Sequence, residues 1–153
     1  MLIEKEELAS LVPHKGSMLL LTGAREYNLE ERSISTVCHI TEDCIFYDPE
    51  IGAVPSWVGF ELMAQSISVL SGIRDRLLGK KPKFGFIMSV SSMSIGIPFF
   101  KAGSTVEIKV KERDAIEVVY NFGGEIFLDG KQVMEGKLTV MDASEEMLKA
   151  LRA

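Results

Sequence analysis

One glutamate, Glu61, is the only charged residue in the most apolar stretch of the chain, which runs from residue 51 to residue 73. A helix that is hydrophobic on nearly every face is buried in a protein or inserted in a membrane. A carboxyl group buried without partners has a raised pKa, which suits a general acid at neutral pH. Glu61 is therefore a candidate catalytic acid. The alternative is a structural glutamate neutralised by a lysine or arginine, or one that lies at a subunit interface.

Polar residues share a helical face with this carboxylate. Gln65, Ser68 and Gly72 follow Glu61 at steps of four, three and four residues, which places all of them on one side of a helix. Pro55 suits a first helical turn, so Glu61 would lie near the positive end of the helix dipole. These polar groups argue against a membrane span, since a charge at mid-bilayer costs about 3 kcal/mol. The pattern predicts one buried helix over residues 55–76.

Strand-like runs flank this helix on both sides. Two precede it and four follow it, at residues 18–27, 32–40, 84–97, 104–113, 116–127 and 132–141. Asp129-Gly130 is a tight hairpin signal, and strands joined by short turns favour an antiparallel sheet. Short helices are predicted at residues 3–11 and 143–152, and an irregular loop at residues 41–53. The order of elements predicts a single α+β domain over residues 1–153, with an antiparallel sheet wrapped around one long central helix.

The composition is that of an ordinary globular protein. The chain has 153 residues, of which 46% are hydrophobic and 25% charged, and this length allows a sizeable core. A net charge of −5 gives no support for nucleic acid or an anionic membrane as the main partner. Cys38 and Cys44 do not have the spacing of a zinc site or a C-x-x-C redox motif. They are interpreted as reduced thiols of a cytoplasmic protein. The N-terminal residues do not resemble a signal peptide, and no metal or cofactor is predicted.

The predicted arrangement is that of the hotdog fold, and several stretches resemble one family within it. The likeness is to the β-hydroxyacyl-acyl-carrier-protein dehydratases and their divergent relatives from aryl-polyene-type gene clusters. It rests on LVPHKGSMLLL at residues 11–21, VPSWVGFELMAQ at 54–65, FIMSV at 86–90 and the hairpin at 125–138. The helix motif at 54–65 is the most specific of these.

The resemblance implies a mechanism and a set of site residues. In that family a histidine takes the α-proton of a 3-hydroxyacyl thioester, and a carboxylate on the helix of the other subunit handles the leaving hydroxyl. A backbone N–H at the helix start polarises the thioester carbonyl. The match makes Glu61 the carboxylate and puts Ser56 and Trp57 where the polarising amide belongs. Gln65 and Ser89 fall in the matched helix and strand, and both are predicted to bind substrate.

This chain departs from the family at the histidine. The family stretch G-H-F-P is replaced by CIFYDP at residues 44–49, so Tyr47 or, with one gap, Asp48 occupies the position of the base. An aspartate with a pKa near 3.9 is a poorer base than a histidine near 6.5. His14, in the opening motif, and His39, in a strand, do not align with the missing histidine, and both are interpreted as structural.

The prediction is therefore a 3-hydroxyacyl-thioester dehydratase, or a subunit of one, in fatty-acid or polyene-type synthesis. Its substrate would be carried by acyl carrier protein or coenzyme A. It would act through Asp48, with Tyr47 as a possible hydrogen-bond donor, or pair with a histidine-bearing paralogue that lends the base. The alternatives are a non-catalytic hotdog partner subunit and an acyl thioesterase in which Glu61 activates water. Because the family site is shared between subunits, a homodimer or a heterodimer is expected.

A basic segment after the helix is a candidate docking site for an acidic carrier protein. Residues 74–83 hold one acid, Asp75, against five cations, which are Arg74, Arg76, Lys80, Lys81 and Lys83. Opposite charge would steer an acidic partner to this segment. The alternative is that these cations serve only solubility and the helix dipole, where each contributes about 0.3–1 kcal/mol.

Overall fold

The computed structural model of the protein describes residues 1–13, 16–81 and 84–143, and the side chains of residues 84–86 and 143 are outside this description. Three sequence-based expectations fall on other residues. His14, Lys83 and the predicted C-terminal helix, apart from its first residue, lie outside the described ranges.

The described residues form nine strands and two α-helices. The helices are α1 (Lys5–Leu11) and α2 (Gly59–Leu77). The strands are β1 (Ile3–Glu4), β2 (Gly23–Asn28), β3 (Ser33–His39), β4 (Ala53–Pro55), β5 (Phe84–Ile95), β6 (Phe99–Lys101), β7 (Thr105–Ile116), β8 (Val119–Leu128) and β9 (Lys131–Ala143). Single 3₁₀ turns at Gly16–Met18 and Ser56–Val58 precede β2 and α2.

Seven of the strands form one sheet in the order β1-β2-β3-β7-β8-β9-β5, and each neighbouring pair is antiparallel. The predicted antiparallel sheet is confirmed. The strands β4 and β6 pair separately as a short antiparallel ribbon, which the sequence did not predict. β5 pairs only with β9 and forms one edge of the sheet.

The helix α2 packs chiefly on β3 and β7. Its sheet side carries Leu62, Val69 and Ile73, which are at most 5% exposed. Burial of each such side chain contributes about 1.5–3 kcal/mol. Gly124 on β8 allows the close approach, because a Cβ there would lie 2.7 Å from the Met63 sulfur. Gly72 does the same on the other side of α2, where a side chain would overlap the Leu11 carbonyl oxygen.

The prediction of a strand over residues 18–27 was wrong in its first half. Residues 16–18 form a 3₁₀ turn, and β2 begins only at Gly23. The physical reason is that the backbone here bonds to a side chain of α2 instead of to a strand. The Leu20 N–H donates to Gln65 Oε1 at 2.9 Å, and the Met18 carbonyl accepts from Gln65 Nε2 at 2.8 Å.

The predicted helix covered residues 55–76, whereas α2 spans Gly59–Leu77, so its start differs from the prediction and its end agrees to within one residue. Pro55 is extended, with φ −57° and ψ 138°, so it ends β4 rather than opening the helix. At the C-terminal end Gly79 has φ +70°, and its N–H donates to the Arg76 carbonyl while the Lys80 N–H donates to the Asp75 carbonyl. This pair of bonds is the Schellman motif, which satisfies the last carbonyls of a helix.

Two smaller expectations can also be compared with the structure. Asp129 and Gly130 have φ of 53° and 78°, as a two-residue hairpin turn requires, so the predicted hairpin is confirmed. Neither helix in the described ranges has the length and hydropathy that would let it cross a membrane.

Candidate active site

Glu61 lies in the first turn of α2 and is half-buried. The 3₁₀ turn Ser56–Val58 leads directly into this turn, so the carboxylate is close to the N-terminal end of the helical segment. The Gln65 side chain, one turn further on, donates from Nε2 to Glu61 Oε1 at 3.1 Å. The predicted sharing of one helical face by Glu61 and Gln65 is therefore present in the structure.

Gln65 is fully buried and connects this carboxylate to the chain before β2. Besides Glu61, it bonds the Leu20 N–H and the Met18 carbonyl, as described above. Sequence reasoning missed the role of the segment 18–20. No side-chain pattern could have revealed it, because the segment takes part through its backbone.

The two candidate polarising amides at the helix start are not equivalent. The Ser56 N–H donates to the Pro98 carbonyl at 3.1 Å, which joins the helix start to the residue before β6. The Trp57 N–H has no hydrogen-bond acceptor among the residues that the structure describes. The first N–H groups of a helical segment lack partners within it. Of the two amides, Trp57 is the one left for a ligand.

The exposed Trp57 indole forms an aromatic cluster with Phe46 and Phe60, which are half-buried. Its ring centroid lies 5.5 Å from that of Phe46 in an edge-to-face arrangement and 6.4 Å from that of Phe60. Trp57 is 50% exposed, and Ile45 and Ile51 of the preceding loop are also exposed. An apolar surface therefore surrounds the start of α2, where the Trp57 amide lies.

The structure does not join Tyr47 or Asp48 to Glu61 by any hydrogen bond within the described chain. Asp48 is held in its own turn, where its Oδ1 accepts the Glu50 N–H at 2.9 Å and its backbone bridges to Ala53. The Tyr47 hydroxyl lies beside Gly52, since a Cβ atom added to that glycine would be 4.0 Å from the hydroxyl oxygen. Both residues therefore lie in the turn that leads to β4.

Ser89 lies on β5, opposite Thr139 of β9, and is exposed. Its neighbours Met88 and Val90 are 55% and 40% exposed. No contact in the described chain links Ser89 to Glu61, so a role in substrate binding stays a prediction.

The candidate docking segment is divided by its contacts. Arg74 Nη2 lies 3.9 Å from Asp142 Oδ2, and the Arg74 guanidinium stacks over the Tyr120 ring at 5.7 Å. Burial, followed by the charge of Asp142, raises the pKa of Tyr120. Arg76 Nη1 lies 3.1 Å from Glu7 Oε1 of α1. Two of the predicted docking cations therefore hold structural partners.

Lys80 and Lys81 differ from the two arginines. Both are exposed, and neither makes an ion pair within the described ranges. They follow the Schellman motif that ends α2, at the opposite end of the helix from Glu61. They are the part of the predicted patch that is available to an outside partner.

A cavity of about 70 Å³ lies between the C-terminal half of α2 and the strands β8 and β9. Ile67, Leu70, Phe122 and Val140 form its apolar walls, and Glu61 is not among its lining residues. The cavity is therefore not formed around the carboxylate of the candidate site.

Two further reactive side chains, Cys38 and His39, have structural environments. Burial raises the pKa of the Cys38 thiol to about 12, and its sulfur donates to the Leu20 carbonyl at 3.2 Å. A thiol in this state is a poor nucleophile. His39 is exposed on β3, where its Nδ1 lies 2.6 Å from Thr105 Oγ1, as expected of a structural strand histidine.

A long helix packed against a curled antiparallel sheet defines the hotdog class, and solved structures agree. The structure matches the dehydratase heterocomplex ApeI:P from Xenorhabdus doucetiae with a TM-score of 0.86 and 23% identity, covering 94% of this chain and 95% of that chain. A hypothetical thioesterase from Streptococcus pneumoniae, solved with coenzyme A, matches with a TM-score of 0.60 and 11% identity over 79% and 84% of the two chains. The PaaI protein of Escherichia coli matches with a TM-score of 0.59 and 13% identity over 77% and 80%. The predicted hotdog fold is confirmed.

The family follows from the sequence. Residues 6–151 match the family model described as ApeP-like, ApeP dehydratase, and the chain belongs to this family. No curated protein matches the chain. The predicted family is confirmed, and with it the prediction of a dehydratase or dehydratase subunit.

Proposed function

We propose that this protein is the carboxylate-bearing subunit of a heterodimeric 3-hydroxyacyl-thioester dehydratase. It removes water from an acyl group carried by acyl carrier protein or coenzyme A and gives the 2-enoyl thioester, in fatty-acid or polyene-type synthesis. The observation that carries this proposal is the geometry at the start of α2. Glu61 lies in its first turn, and the Trp57 N–H precedes it without an acceptor in the described chain.

The chemistry proceeds from these two groups. The thioester carbonyl accepts the Trp57 N–H, and the positive end of the helix dipole stabilises charge that develops on the carbonyl oxygen. A base removes the α-proton, and the electron pair of that C–H bond forms the double bond. Glu61, protonated, gives its proton to the 3-hydroxyl as the C–O bond breaks. The products are the 2-enoyl thioester and water, and transfer of a proton from the base to Glu61 restores the starting state.

The base is assigned to a second subunit. In this chain Asp48 is committed to its turn and His39 is bonded to Thr105 on β3. A further support is the dehydratase from Xenorhabdus doucetiae, which was solved as a heterocomplex. A related hotdog subunit that carries the missing histidine would place its imidazole beside Glu61 across the interface.

The edge strand β5 is the proposed contact with that subunit. It is twelve residues long and has no neighbour on its outer side among the strands of the described ranges, and Met88, Val90 and Ile95 are exposed along it. Long exposed apolar edges promote association and are normally covered. Pairing of β5 with the corresponding strand of the partner would extend the sheet across the dimer.

The proposal is tested with the co-purified complex of this chain and its histidine-bearing partner. A 3-hydroxyacyl thioester is supplied, and 2-enoyl thioester and free thiol are measured separately. We expect enoyl product from the complex and little from this chain alone. Glu61→Gln should lower the rate by about 10²–10⁴-fold, since this is the usual contribution of general acid–base catalysis.

The possible outcomes separate the rival functions. Full activity of the complex with Glu61→Gln would make this chain a non-catalytic partner subunit. Release of free thiol without enoyl product would indicate a thioesterase. If this chain is active alone and the Asp48→Asn variant is inactive, the base is Asp48 of this chain and not a residue of the partner.

We also propose that the protein works in the cytoplasm. The support is the state of Cys38 and Cys44, which are both free thiols in the structure. Cell fractionation that finds the protein in a membrane or secreted fraction would contradict this location.

A further inference from the structure

A buried amide connects the carboxylate of the proposed site to a distant part of the chain. Gln65 is 0% exposed and makes three hydrogen bonds, to the Leu20 N–H at 2.9 Å, the Met18 carbonyl at 2.8 Å and Glu61 Oε1 at 3.1 Å. Met18 and Leu20 belong to the segment before β2, more than forty residues away in sequence.

These contacts fix which way the amide faces. A side-chain amide can be reversed without changing its shape, so its orientation follows from its hydrogen bonds. The Leu20 N–H can only donate and therefore requires the Gln65 oxygen. The Met18 carbonyl can only accept and therefore requires the Gln65 nitrogen. Reversal would leave the buried Leu20 N–H unsatisfied, at about 1–3 kcal/mol, and would also remove the donor to the part-buried Met18 carbonyl.

The consequence for Glu61 is specific. With the nitrogen fixed, the group presented to Glu61 Oε1 is an N–H, never the amide oxygen. The backbone of the segment 18–20, acting through Gln65, therefore determines that Glu61 Oε1 meets a hydrogen-bond donor.

We propose that Gln65 is a positioning residue of the dehydration reaction, which holds the Glu61 carboxyl in the orientation that delivers its proton to the leaving hydroxyl. This inference rests on the proposed function and gives Gln65 a role other than the substrate contact expected from sequence. Correct prior placement of a catalytic group can be worth 10²-fold or more in rate. The benefit requires no contact between Gln65 and the substrate.

The variant Gln65→Met tests the inference, because it keeps a similar volume and removes the amide. In the heterodimer we expect kcat to fall by about 10- to 100-fold with little change in KM. Loss of an N–H that stabilises the charged carboxylate also raises the pKa of Glu61. The alkaline limb of the pH profile, where the protonated acid is lost, should therefore move to higher pH. Gln65→Glu keeps an acceptor for Leu20 but loses the donors, and should not restore the rate.

Ser66→Ala is the matched control. Ser66 is the next residue of α2, is also 0% exposed, and bonds Thr36 Oγ1 and the Leu62 carbonyl at 2.7 Å. Its loss should lower the melting temperature without moving the pH profile. If Gln65→Met and Ser66→Ala lose stability equally and both keep the wild-type pH limb and kcat, the inference is overturned.

A second measurement does not depend on activity. The Glu61 carboxyl can be titrated by carbon-13 NMR in the heterodimer, with its resonance assigned by Glu61→Gln. A higher pKa in Gln65→Met supports the contact, and an unchanged one overturns the inference while leaving the proposed function in place. A wild-type heterodimer with no dehydratase activity would instead overturn the proposed function, and the catalytic role of Gln65 with it.

Discussion

At the scale of single residues, the start of α2 separates two amides that the sequence could not distinguish. Ser56 and Trp57 are adjacent, but within the described residues the Ser56 N–H has an acceptor, the Pro98 carbonyl, and the Trp57 N–H has none. The ribbon of β4 and β6 brings Pro98 to this point. A pairing that the sequence did not predict therefore determines which of the two amides we propose to bind substrate.

This difference predicts the effect of removing one N–H. Replacing Trp57 by its α-hydroxy acid analogue turns the amide into an ester and keeps the indole. We expect kcat of the heterodimer to fall by about 10²–10³-fold, the usual cost of losing one donor to a developing oxyanion. The same replacement at Ser56 should lower the melting temperature and leave kcat nearly unchanged. Equal losses of kcat would contradict the assignment.

The buried thiol of Cys38 predicts a pH dependence of stability. Its folded-state pKa is raised to about 12 from 9.0, so the thiol stays protonated in the folded protein when it ionises in the unfolded chain. Its contribution is complete below pH 9 and is lost as the pH rises towards 12, by about 1.4 kcal/mol per unit. Urea unfolding between pH 8 and 10.5 should show this slope. In Cys38→Ala the slope should be smaller, and an identical slope would contradict the prediction.

At the scale of elements, the sequence predicted what depends on side-chain pattern. The apolar run around Glu61 predicted α2, and the spacing predicted that Gln65 shares a helical face with Glu61; the hydrogen bond between them is seen only in the structure. The segment 18–22 was misread because MLLL is apolar enough for a strand, while its actual partner is the Gln65 side chain. Tyr47 and Asp48 were chosen by counting along a motif, and spacing alone cannot show that Asp48 is held by the Glu50 N–H.

The C-terminal end of α2 gives a narrower prediction for carrier docking. We propose that Lys80 and Lys81 receive an acidic carrier protein, since Arg74 and Arg76 have Asp142 and Glu7 as partners. The sixteen residues from Glu61 to the helix end at Leu77 span about 24 Å at 1.5 Å each. A carrier docked here would have to reach the site with an extended arm.

Charge reversal of both lysines tests this docking site. Lys80→Glu with Lys81→Glu should lower kcat/KM on a carrier-linked substrate by roughly tenfold at low salt, and less at high salt. A short pantetheine substrate should be unaffected. The control is Lys131→Glu with Lys137→Glu, which changes the same charge on exposed positions of β9. Equal effects of the two pairs would limit Lys80 and Lys81 to a role in solubility.

At the scale of the whole molecule, the proposed heterodimer is asymmetric in function. A hotdog dimer of the resembled family has two composite sites, each with a base from one subunit and a carboxylate from the other. In the proposed heterodimer, Glu61 would complete the site that holds the partner's histidine. The other site receives Tyr47 and Asp48 in place of a histidine, so one site per heterodimer is expected to work.

This asymmetry can be measured. Glu61→Gln in this chain should remove nearly all activity of the heterodimer. Substitution of the corresponding carboxylate in the partner should leave the rate within about twofold. That carboxylate belongs to the second site, which lacks a histidine base, so its general acid contributes little to the measured rate. Similar losses from the two substitutions would show two working sites.

The edge strand β5 has a further consequence, which concerns how the protein is made. A subunit synthesised without its partner presents an unpaired edge strand with Met88, Val90 and Ile95 exposed. Such an edge can pair non-specifically with strands of other chains and cause aggregation. Surplus copies would be lost to precipitation or degradation. If the proposed heterodimer forms through β5, we therefore expect the cell to produce the two subunits together and in equal number, and the amount of working enzyme to follow the balance of their synthesis.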